Sequence, residues 1–590
     1  MSLALDRWWP AWSDDTRRQV SLILTVIGTV SALSGLFMSR LVLDDLGLAG
    51  GLALPYWLGL LLLPVAAIVE ASRGSSASRG MLAMLVVGWL LLVWLMPLIL
   101  EGTPRFRTSY SNYGYVDPLV RGDGLDRGRF LYHNWPLFPI AMAAVRVVGI
   151  GVEALLAVFP AIIMCLYIAL MGVLLAQFDE SPTGSSTGRM KLQKLPDRLG
   201  ELDPRLLLVL FLFPVFDWTG QDYFSPQALA FAFFLAFTVI LANVAASGVG
   251  RPSARQTVGL IVAFTAIVAT HVLTSLFALG VLGVLVVGRV VRPWTLLATA
   301  LVIFIGWQVY VAAPFYASYG DRLLEGLLRL GSFLETNIAS RVTGSPGHAL
   351  AAQLRILATA IIFAVGIAGF LILARNRVWV WQVRFAVAYI LGIMIVIPIS
   401  IYGGEAIIRG LLFTLPMLLV VIYLTIGQRV IQALVAVALV VGAPLHIYTH
   451  YGNELYDYVS PAELAVFHEV EGLAPANIYG GYPAGAYQQT ARLDTRNASL
   501  PRQEDATTVD DFLDPESHNW ADQTLPTYVV LTRGDQAAVR LFRDEPALIE
   551  QARTALAADP SFEIIFENPD GVIFGRVDGV AKRTDIARFR

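Results

Sequence analysis

Residues 258–288 read VGLIVAFTAIVATHVLTSLFALGVLGVLVVG, an uncharged run that is interrupted near its middle by Thr270 and His271. The run is too long for one ordinary membrane span, which needs roughly 20 apolar residues. Arginines flank it on both sides: Arg251, Arg255, Arg289 and Arg292. Because cytoplasmic loops collect Arg and Lys, both ends are expected inside. The run therefore predicts two membrane passes that turn near His271.

The rest of the chain extends this pattern in both directions. A short run at 206–216 ends at Asp217, and longer apolar runs lie at 20–38, 52–69, 81–100, 152–177, 228–246, 294–313, 356–374, 385–402, 410–426 and 431–448. Basic residues alternate from loop to loop, which predicts about 13 spans with a cytoplasmic N-terminus and an outer C-terminus. The aromatic and basic residues of 1–19 are typical of a cytoplasmic interfacial segment. The fold class is thus a mainly α membrane protein of the cell membrane.

The overall composition agrees with a polytopic membrane protein. The 590 residues are 56% hydrophobic and 15% charged, with a mean hydropathy of +0.63, whereas soluble domains are nearer a quarter charged. The net charge of −3 offers no basic footprint for nucleic acid, so no such partner is expected. The single cysteine, Cys165, excludes an intramolecular disulfide and a cysteine-based zinc site.

Two of the predicted spans are short, which indicates a recessed cavity. Residues 206–216 would form roughly 17 Å of helix, and 258–270 is only a little longer, whereas the hydrocarbon core is roughly 30 Å thick. The outer turns at 218–226 and 270–275 should therefore lie below the membrane surface. Irregular backbone at that depth is tolerated where protein or water satisfies it. We expect both turns near the floor of an outward-opening cavity.

Hydropathy drops after Tyr451, and the tail reads as a small α/β domain. Helices are expected at 461–472, 536–542 and 547–557, and strands at 477–479, 528–532, 562–566 and 572–576. The last two strands flank Asn568-Pro-Asp-Gly571, a turn sequence. The chain thus divides into residues 1–19, a transmembrane domain at 20–450 with large outer loops at 101–150 and 314–353, and an extracytoplasmic domain at 451–590.

The first outer loop gathers acids and aromatic side chains. It carries Asp117 together with Tyr132, His133 and Trp135. A carboxylate can serve as a general base, and aromatic rings offer flat apolar faces that suit a sugar or a lipid headgroup. The alternative is an interfacial loop with an ordinary aromatic belt.

The turn Gln221-Asp-Tyr-Phe-Ser-Pro-Gln227 holds a second candidate site. Asp222 is notable because an acid at membrane depth is costly and is usually functional. Gln221 and Tyr223 flank it and are candidate pocket residues. The alternative is that Asp222 helps to satisfy the start of the next helix, where Ser225 and Pro226 stand.

Glu405 and Arg409 form the third candidate constellation. They are four residues apart, so they share one face of a helix. Arg409 stands at the outer boundary and presents a fork of donors suited to phosphate. His271 could add a donor to the same phosphate. The alternatives are a plain ion pair and a histidine satisfied within its own turn.

In this order along the chain, the motifs resemble the GT-C superfamily of polytopic membrane glycosyltransferases, in its prokaryotic branch. The resemblance runs from about residue 81 onward. It rests on the outer loop ending in Tyr-His-Asn-Trp-Pro136, the turns at 221–227 and 270–274, the Gly-Gly-Glu…Arg409 stretch and the outer α/β tail.

The resemblance implies a GT-C-like fold and a polyprenyl-phosphate-linked sugar as donor. A hexose or pentose would pass with inversion to a hydroxyl of a glycan, lipid or protein acceptor on the outer face of the cell envelope. Asp117 or Asp222 would be the catalytic base, and Arg409 would neutralise the leaving phosphate with His271 and Glu405 beside it. Membrane lipids would be partners, and the scheme leaves room for a divalent metal ion, although the tail contains no metal-ligand spacing.

One departure from the family keeps two other functions open. The family usually places its catalytic acid early in the first large outer loop, but residues 105–113 contain no acid; Asp117 follows later and Glu101 precedes them. A non-catalytic envelope-assembly protein with a GT-C-like shell is one alternative. A secondary transporter is the other, although that class places its charges near the bilayer midplane.

Overall fold

The chain folds into a helical membrane bundle that carries a small mixed-sheet domain at its C-terminal end. The structure, a computed structural model, describes residues 12–128, 130–178, 203–317, 343–378, 380–399, 405–471, 473, 478–480, 497–499 and 528–577. Within these ranges, nine helices are long and apolar enough to cross a membrane, and five apolar helices are shorter. The predicted mainly α multi-pass architecture with a C-terminal sheet domain is confirmed.

The N-terminal half of the bundle begins with a tight helical hairpin. The helices are α1 (Asp14–Met38), α2 (Leu54–Ala71), α3 (Arg79–Trp94), α4 (Met96–Glu101), α5 (Arg107–Tyr113), α6 (Asp117–Arg121), α7 (Leu137–Val147) and α8 (Val152–Ala176). In α1 and α2, a Cβ on Gly35 would fall 2.0 Å from the backbone nitrogen of Tyr56. The two helices touch backbone to backbone, as small residues permit between membrane helices.

The second half of the bundle contains the short helices and the long C-terminal ones. These are α9 (Pro204–Phe216), α10 (Pro226–Ala246), α11 (Ala254–Thr270), α12 (Val272–Val287), α13 (Trp294–Gly306) with a π-helical extension at Trp307–Val311, α14 (Pro346–Arg375), α15 (Trp381–Ile399), α16 (Glu405–Thr425) and α17 (Arg429–His450). Every run predicted to span the membrane is helical in the described part. The run at 258–288 breaks at His271, as predicted. Helix α7 was not predicted.

Helix α9 is the centre of the bundle. All of its residues from Leu206 to Phe216 are buried, and it packs against α3, α8, α16 and α17. A helix that is apolar on all sides is typical of such a position. Helix α13 lies at the other extreme, because Val302 and Tyr310 at its outer side are largely exposed. The short α9 is therefore surrounded by protein, and its end at Phe216 delivers the next loop into the bundle.

The tail forms a five-stranded sheet with strand order β2-β1-β3-β5-β4. Its elements are α18 (Glu454–Asp457), α19 (Pro461–Glu471), β1 (Ile478–Gly480), β2 (Asn497–Ser499), β3 (Tyr528–Thr532), α20 (Arg533–Arg543), α21 (Leu548–Ala558), β4 (Phe562–Asn568) and β5 (Gly571–Arg576). Strands β1, β2 and β3 are parallel, whereas β5 pairs antiparallel with β3 and β4. The predicted hairpin across the Asn-Pro-Asp-Gly turn is present.

Buried ionic contacts attach the tail to the first outer loop. Arg107 in α5 bonds Glu463 in α19 at 2.7 Å, and the backbone N–H of Gly534 donates to the same carboxylate at 3.0 Å. Arg540 in α20 also reaches Asp45, in the loop between α1 and α2, at 2.8 Å. The tail therefore holds the beginning of the first outer loop in place.

Candidate functional site

The loop between α9 and α10, residues 217–225, carries Asp222 into the bundle. Asp217 ends α9 and accepts a hydrogen bond from the Thr219 hydroxyl at 2.7 Å. Ser225 caps α10 by accepting from the N–H of Ala228 at 3.1 Å. The Asn112 amide of α5 donates to the Phe224 carbonyl at 2.9 Å, which joins this loop to the first outer loop. Ser225, and not Asp222, caps α10. The alternative that Asp222 helps to satisfy the start of this helix therefore does not describe its contacts.

Asp222 is 2% exposed and lies among aromatic and imidazole rings. It accepts a hydrogen bond from the indole N–H of Trp94, and His450 Nε2 lies 3.6 Å from its carboxylate. The His450 ring stacks on His446 with centroids 4.9 Å apart, and both rings lie beside Trp94. These contacts thus restrict the Asp222 carboxylate to one orientation.

A second set of charges lies at the outer end of the bundle and is linked to Asp222 through Arg105. Arg105 binds Glu454 through two nitrogens, at 2.9 and 2.6 Å, and its guanidinium acts electrostatically on Asp222. The Glu101 carboxyl, at the end of α4, faces that of Glu454. Burial and the Glu454 carboxylate together raise the pKa of Asp457 above its usual range. We call Asp222, Glu101, Arg105, Glu454 and Asp457 the acid cluster.

The acid cluster gathers residues from distant parts of the sequence. Burial opposes the charge on Arg105, but the Glu454 carboxylate more than offsets this, and the net effect is a raised pKa for Arg105. The cation therefore remains charged beside several carboxyl groups. His446 and His450 lie beside the cluster.

Four residues of this region were not predicted as site residues: Arg105, Glu454, His446 and His450. The two histidines are four residues apart on one span, and that spacing could have indicated them, because ionisable residues within spans are usually functional.

Arg409 and His271 are a second pair of polar side chains in the bundle, linked by an electrostatic interaction. Arg409 is 8% exposed, and its guanidinium acts electrostatically on the His271 ring. His271 separates α11 from α12 and caps α12, because its Nδ1 accepts from the N–H of Thr274 at 3.3 Å. Since Nδ1 is the acceptor, the proton of the neutral ring is on Nε2, which is then a donor. The histidine therefore has a structural bond on one nitrogen and a donor on the other.

The remaining residues predicted around Asp222 and Arg409 have simpler surroundings. Tyr223 stacks on Phe106 with ring centroids 4.2 Å apart. Gln221 Oε1 is buried without a hydrogen-bond partner among the described residues. Helix α16 begins at Glu405, so the helical spacing between Glu405 and Arg409 is present, while the Glu405 side chain lies outside the described part.

Asp117 is held in an ion pair at the edge of the first outer loop. It bonds Arg121 at 2.5 Å, and its side chain is 23% exposed. Arg121 also contacts Asp123 at 3.2 Å. The contacts that fix Asp117 are therefore separate from those that fix Asp222.

Tyr132, His133 and Trp135 form part of the packing of the outer loop. His133 uses both ring nitrogens: Nδ1 accepts from the Asp126 N–H at 2.9 Å, and Nε2 donates to the Tyr115 carbonyl at 2.8 Å. Tyr132 meets Tyr115 edge to face, with centroids 5.0 Å apart. Trp135 is buried against Phe315. These contacts favour the structural interpretation of the three residues.

Metal ligands and the later outer segments can be described only in part. No group of three His, Cys, Asp or Glu side chains within the described ranges is arranged to hold a metal ion. A divalent metal ion therefore stays a prediction. Most of the predicted outer loop at 314–353, and most of the polar stretch between β1 and β3, lie outside the described residues.

Comparisons with known proteins give matches among solved structures only. No family model matches the sequence, and no curated protein matches it. Among solved structures, the chain is similar to the crystal structure of ArnT from Cupriavidus metallidurans bound to undecaprenyl phosphate. The match covers 85% of this chain and 98% of that chain, with 14% sequence identity and a TM-score of 0.41. At this score and identity, the chain is similar to ArnT in outline, and its function has to be argued from the side chains of the site.

Proposed function

We propose that the protein is a membrane glycosyltransferase that moves a sugar from a polyprenyl-phosphate donor to an acceptor hydroxyl on the outer face, with inversion. One observation carries the proposal. The loop at 217–225 places Asp222 in the acid cluster and then starts α10, which runs beside α16 and its buried Arg409. In this proposal Asp222 is the base and Arg409 is the cation, and α10 connects their surroundings through its ring contacts with α16.

The chain itself limits the distance between Asp222 and the start of α10. Asp222 and the first turn of α10 at Gln227 are five residues apart, so their Cα atoms are separated by at most about 18 Å. Helices α10, α12 and α16 meet at the rings of Phe231, Phe277 and Phe413, with centroid distances of 5.1 Å between Phe231 and Phe413 and 4.4 Å between Phe277 and Phe413. Arg409 and His271 lie on the side of this contact from which α10 begins.

The reaction needs one base and one stabilised leaving group. Asp222 takes the proton of the acceptor hydroxyl as its oxygen attacks the anomeric carbon. The bond between that carbon and the phosphate oxygen breaks, and the polyprenyl phosphate leaves with the electron pair. Arg409, with the Nε2–H of His271, faces the oxygens where negative charge develops. A single displacement with one carboxylate inverts the anomeric centre, whereas retention needs a second carboxylate as nucleophile.

Asp222 is a better base than Asp117 on the geometry. Asp117 is paired with Arg121, so its lone pairs are already engaged by a cation. Asp222 accepts a hydrogen bond from Trp94, and a carboxylate has further lone pairs for an acceptor hydroxyl. Asp217 is a buried acid that interacts electrostatically with Asp222, but its carboxylate already accepts from the Thr219 hydroxyl. The Glu101 carboxyl faces Glu454, and two facing carboxyls tend to share a proton.

The orientation of the protein follows from the same proposal. The site lies at the end of the bundle where α9 and α11 end and where the tail is attached. The opposite helix ends carry the arginines at 251, 255, 289 and 292, so the positive-inside rule places the site and the tail outside the cell. The described ionisable groups of the site stand at helix ends, whereas a secondary transporter would place them near the midplane.

A transfer assay tests the proposal. Purified protein in nanodiscs would be incubated with radiolabelled polyprenyl-phosphate-linked hexoses and pentoses, each with membrane lipid, glycan and protein acceptors. We expect label in one acceptor class. The Arg409→Ala variant should transfer at least about 100-fold less label, because it lacks the buried positive charge that stabilises the leaving phosphate. Transfer that is unchanged in Arg409→Ala, or substrate transport into liposomes without transfer, would reject the proposal.

A further inference from the structure

Gln227, in the first turn of α10, is a buried amide without a partner. It is 3% exposed, and neither Oε1 nor Nε2 has a hydrogen-bond partner among the described residues. Buried polar side chains are nearly always hydrogen-bonded in folded proteins, so an exception of this kind calls for a specific explanation. A ligand that supplies both a donor and an acceptor would satisfy the two amide atoms.

The face of α10 that carries Gln227 is turned toward α16. Gln227, Phe231 and Phe234 stand at positions i, i+4 and i+7, so they form one stripe along the helix. Phe231 and Phe234 both contact Phe413 of α16, with ring centroids 5.1 and 4.8 Å away. Gln227 is therefore one turn further out on the face that meets α16.

Arg409 is one turn further out on the opposing helix. It precedes Phe413 by four residues and so lies on the same face of α16. Because α10 and α16 both begin at this end of the bundle, the turn before Phe231 and the turn before Phe413 lie at the same level. The helix positions thus put an amide and a guanidinium at the same level on facing sides of α10 and α16, with the His271 imidazole acted on by that guanidinium.

The N-terminus of helix α10 adds a partial positive charge beside these side chains. Helix α10 has 21 residues and begins at Pro226, so the amide of Gln227 belongs to its first turn. Helix N-termini carry partial positive charge and favour anions. The surroundings of Gln227 are therefore those of an anion site with a neutral hydrogen-bonding group at its edge.

We propose that Gln227 binds the headgroup of the donor, an inference that rests on the proposed function. The phosphodiester of a polyprenyl-phosphate sugar has acceptor oxygens and no O–H group, so only Nε2 of the amide can bond to it. Oε1 then faces a donor, and the hydroxyls of the attached sugar are the donors that the headgroup supplies. Gln227 thereby hydrogen-bonds both the phosphate and the attached sugar, while Arg409 supplies the positive charge that neutralises the phosphate.

Binding of tritiated farnesyl phosphate to the full-length protein in nanodiscs tests the role of Gln227. We expect saturable binding to the wild type and about 10- to 100-fold weaker binding to Gln227→Met, because a hydrogen bond to a charged group is lost while the side-chain volume is kept. Arg409→Ala should weaken binding at least as much. Gln382→Met is the matched control, since Gln382 is also a buried glutamine in a first helical turn, at the cytoplasmic end of α15. It should bind within about twofold of the wild type.

The outcomes separate the two proposals. If Arg409→Ala loses binding and Gln227→Met binds like the wild type, the role of Gln227 is overturned and the proposed function stands. If the wild type does not bind the probe, or Arg409→Ala binds it equally well, both are overturned. Gln227→Glu covers the case in which the Met variant fails to fold, because it keeps the shape of the side chain. At pH 8 its carboxylate should repel the phosphate and weaken binding further, and wild-type binding by this variant would contradict the inference.

Discussion

Single side chains distinguish the two carboxyl groups that are candidates for the base. Asp222 is held by Trp94 and lies near His450, whereas Asp117 is held by Arg121. A general base contributes typically 10²- to 10⁴-fold to a rate. The two aspartates therefore have different expected effects, although the sequence presented them as equal candidates.

We expect Asp222→Asn to lower transfer by about 100-fold or more, because the amide keeps the shape of the carboxylate and cannot accept the proton. Asp117→Asn should keep transfer within about threefold, since it removes one partly exposed ion pair that lies apart from Asp222. Initial rates with a labelled polyprenyl-phosphate sugar measure both. The opposite ranking of the two variants would assign the base to Asp117 instead.

The helix break at His271 allows one imidazole ring to have two roles. The break ends α11 and starts α12, and it leaves one imidazole nitrogen for the cap and the other as a donor beside Arg409. The structural and functional interpretations of this histidine are thus compatible. Substitutions that keep only the cap can separate them.

We expect His271→Asn and His271→Ala to differ in stability and to agree in binding. Asn is a good N-cap residue, whereas Ala is a poor one and should cost about 0.5–2 kcal/mol of unfolding free energy. Both variants lack the Nε2–H, so both should bind farnesyl phosphate less tightly than the wild type. Unfolding in detergent micelles and the binding assay provide the two readouts. Wild-type binding by His271→Asn would reduce the histidine to its structural role.

Most elements could be predicted from the sequence because their signals are local. Spans follow from uncharged runs, the break at His271 from the length of its run, and the last hairpin from the Asn-Pro-Asp-Gly turn. The missed helix α7 follows the turn Asn134-Trp-Pro136, where the aromatic residues indicate a binding loop and hide the start of a helix. Local signals therefore accounted for elements better than for their contacts.

The site was less predictable because its contacts join residues that are far apart in the chain. Arg105 binds Glu454, and Trp94 binds Asp222; no spacing rule connects such pairs. His133 illustrates the reverse case, since an isolated histidine among aromatic residues suggested a pocket, yet both of its nitrogens are bonded within its own loop. Only the packing of the helices reveals which polar groups have partners.

At the scale of the whole molecule, the tail and the bundle are joined through buried charges. Glu463 is fully buried between Arg107 and the N–H of Gly534. Removing one partner of a buried pair leaves an uncompensated charge, which is costly, whereas replacing both by apolar residues can be neutral. Substitutions of Arg107 and Glu463 should therefore have non-additive effects on the unfolding free energy of the tail.

We expect Arg107→Met to lower the unfolding free energy of the tail by about 3 kcal/mol and the double variant with Glu463→Met to lower it less. Arg553→Met is the control, because the Arg553–Glu567 pair is 40% and 42% exposed and should contribute about 0–1 kcal/mol. Urea unfolding in detergent micelles measures all of them. Additive losses would show that Arg107 and Glu463 do not form the described pair.

The topology also makes a prediction for the whole chain. In a Cys165→Ala background, Ser561→Cys in the tail and Ser76→Cys in the loop between α2 and α3 would both present exposed thiols. We expect a membrane-impermeant maleimide to label Ser561→Cys in intact cells and to label Ser76→Cys only after the membrane is opened. Equal labelling of both positions in intact cells would rule out the proposed orientation.

The central claim is that Asp222 and Arg409 act on one donor molecule in a single outward-facing pocket. An electron cryo-microscopy map of the full-length protein in nanodiscs, with a polyprenyl-phosphate sugar bound to Asp222→Asn, tests it most directly. We expect density for a phosphate beside Arg409, His271 and Gln227, with the sugar between that phosphate and residue 222. A phosphate bound away from Arg409, or a sugar out of reach of residue 222, would contradict it.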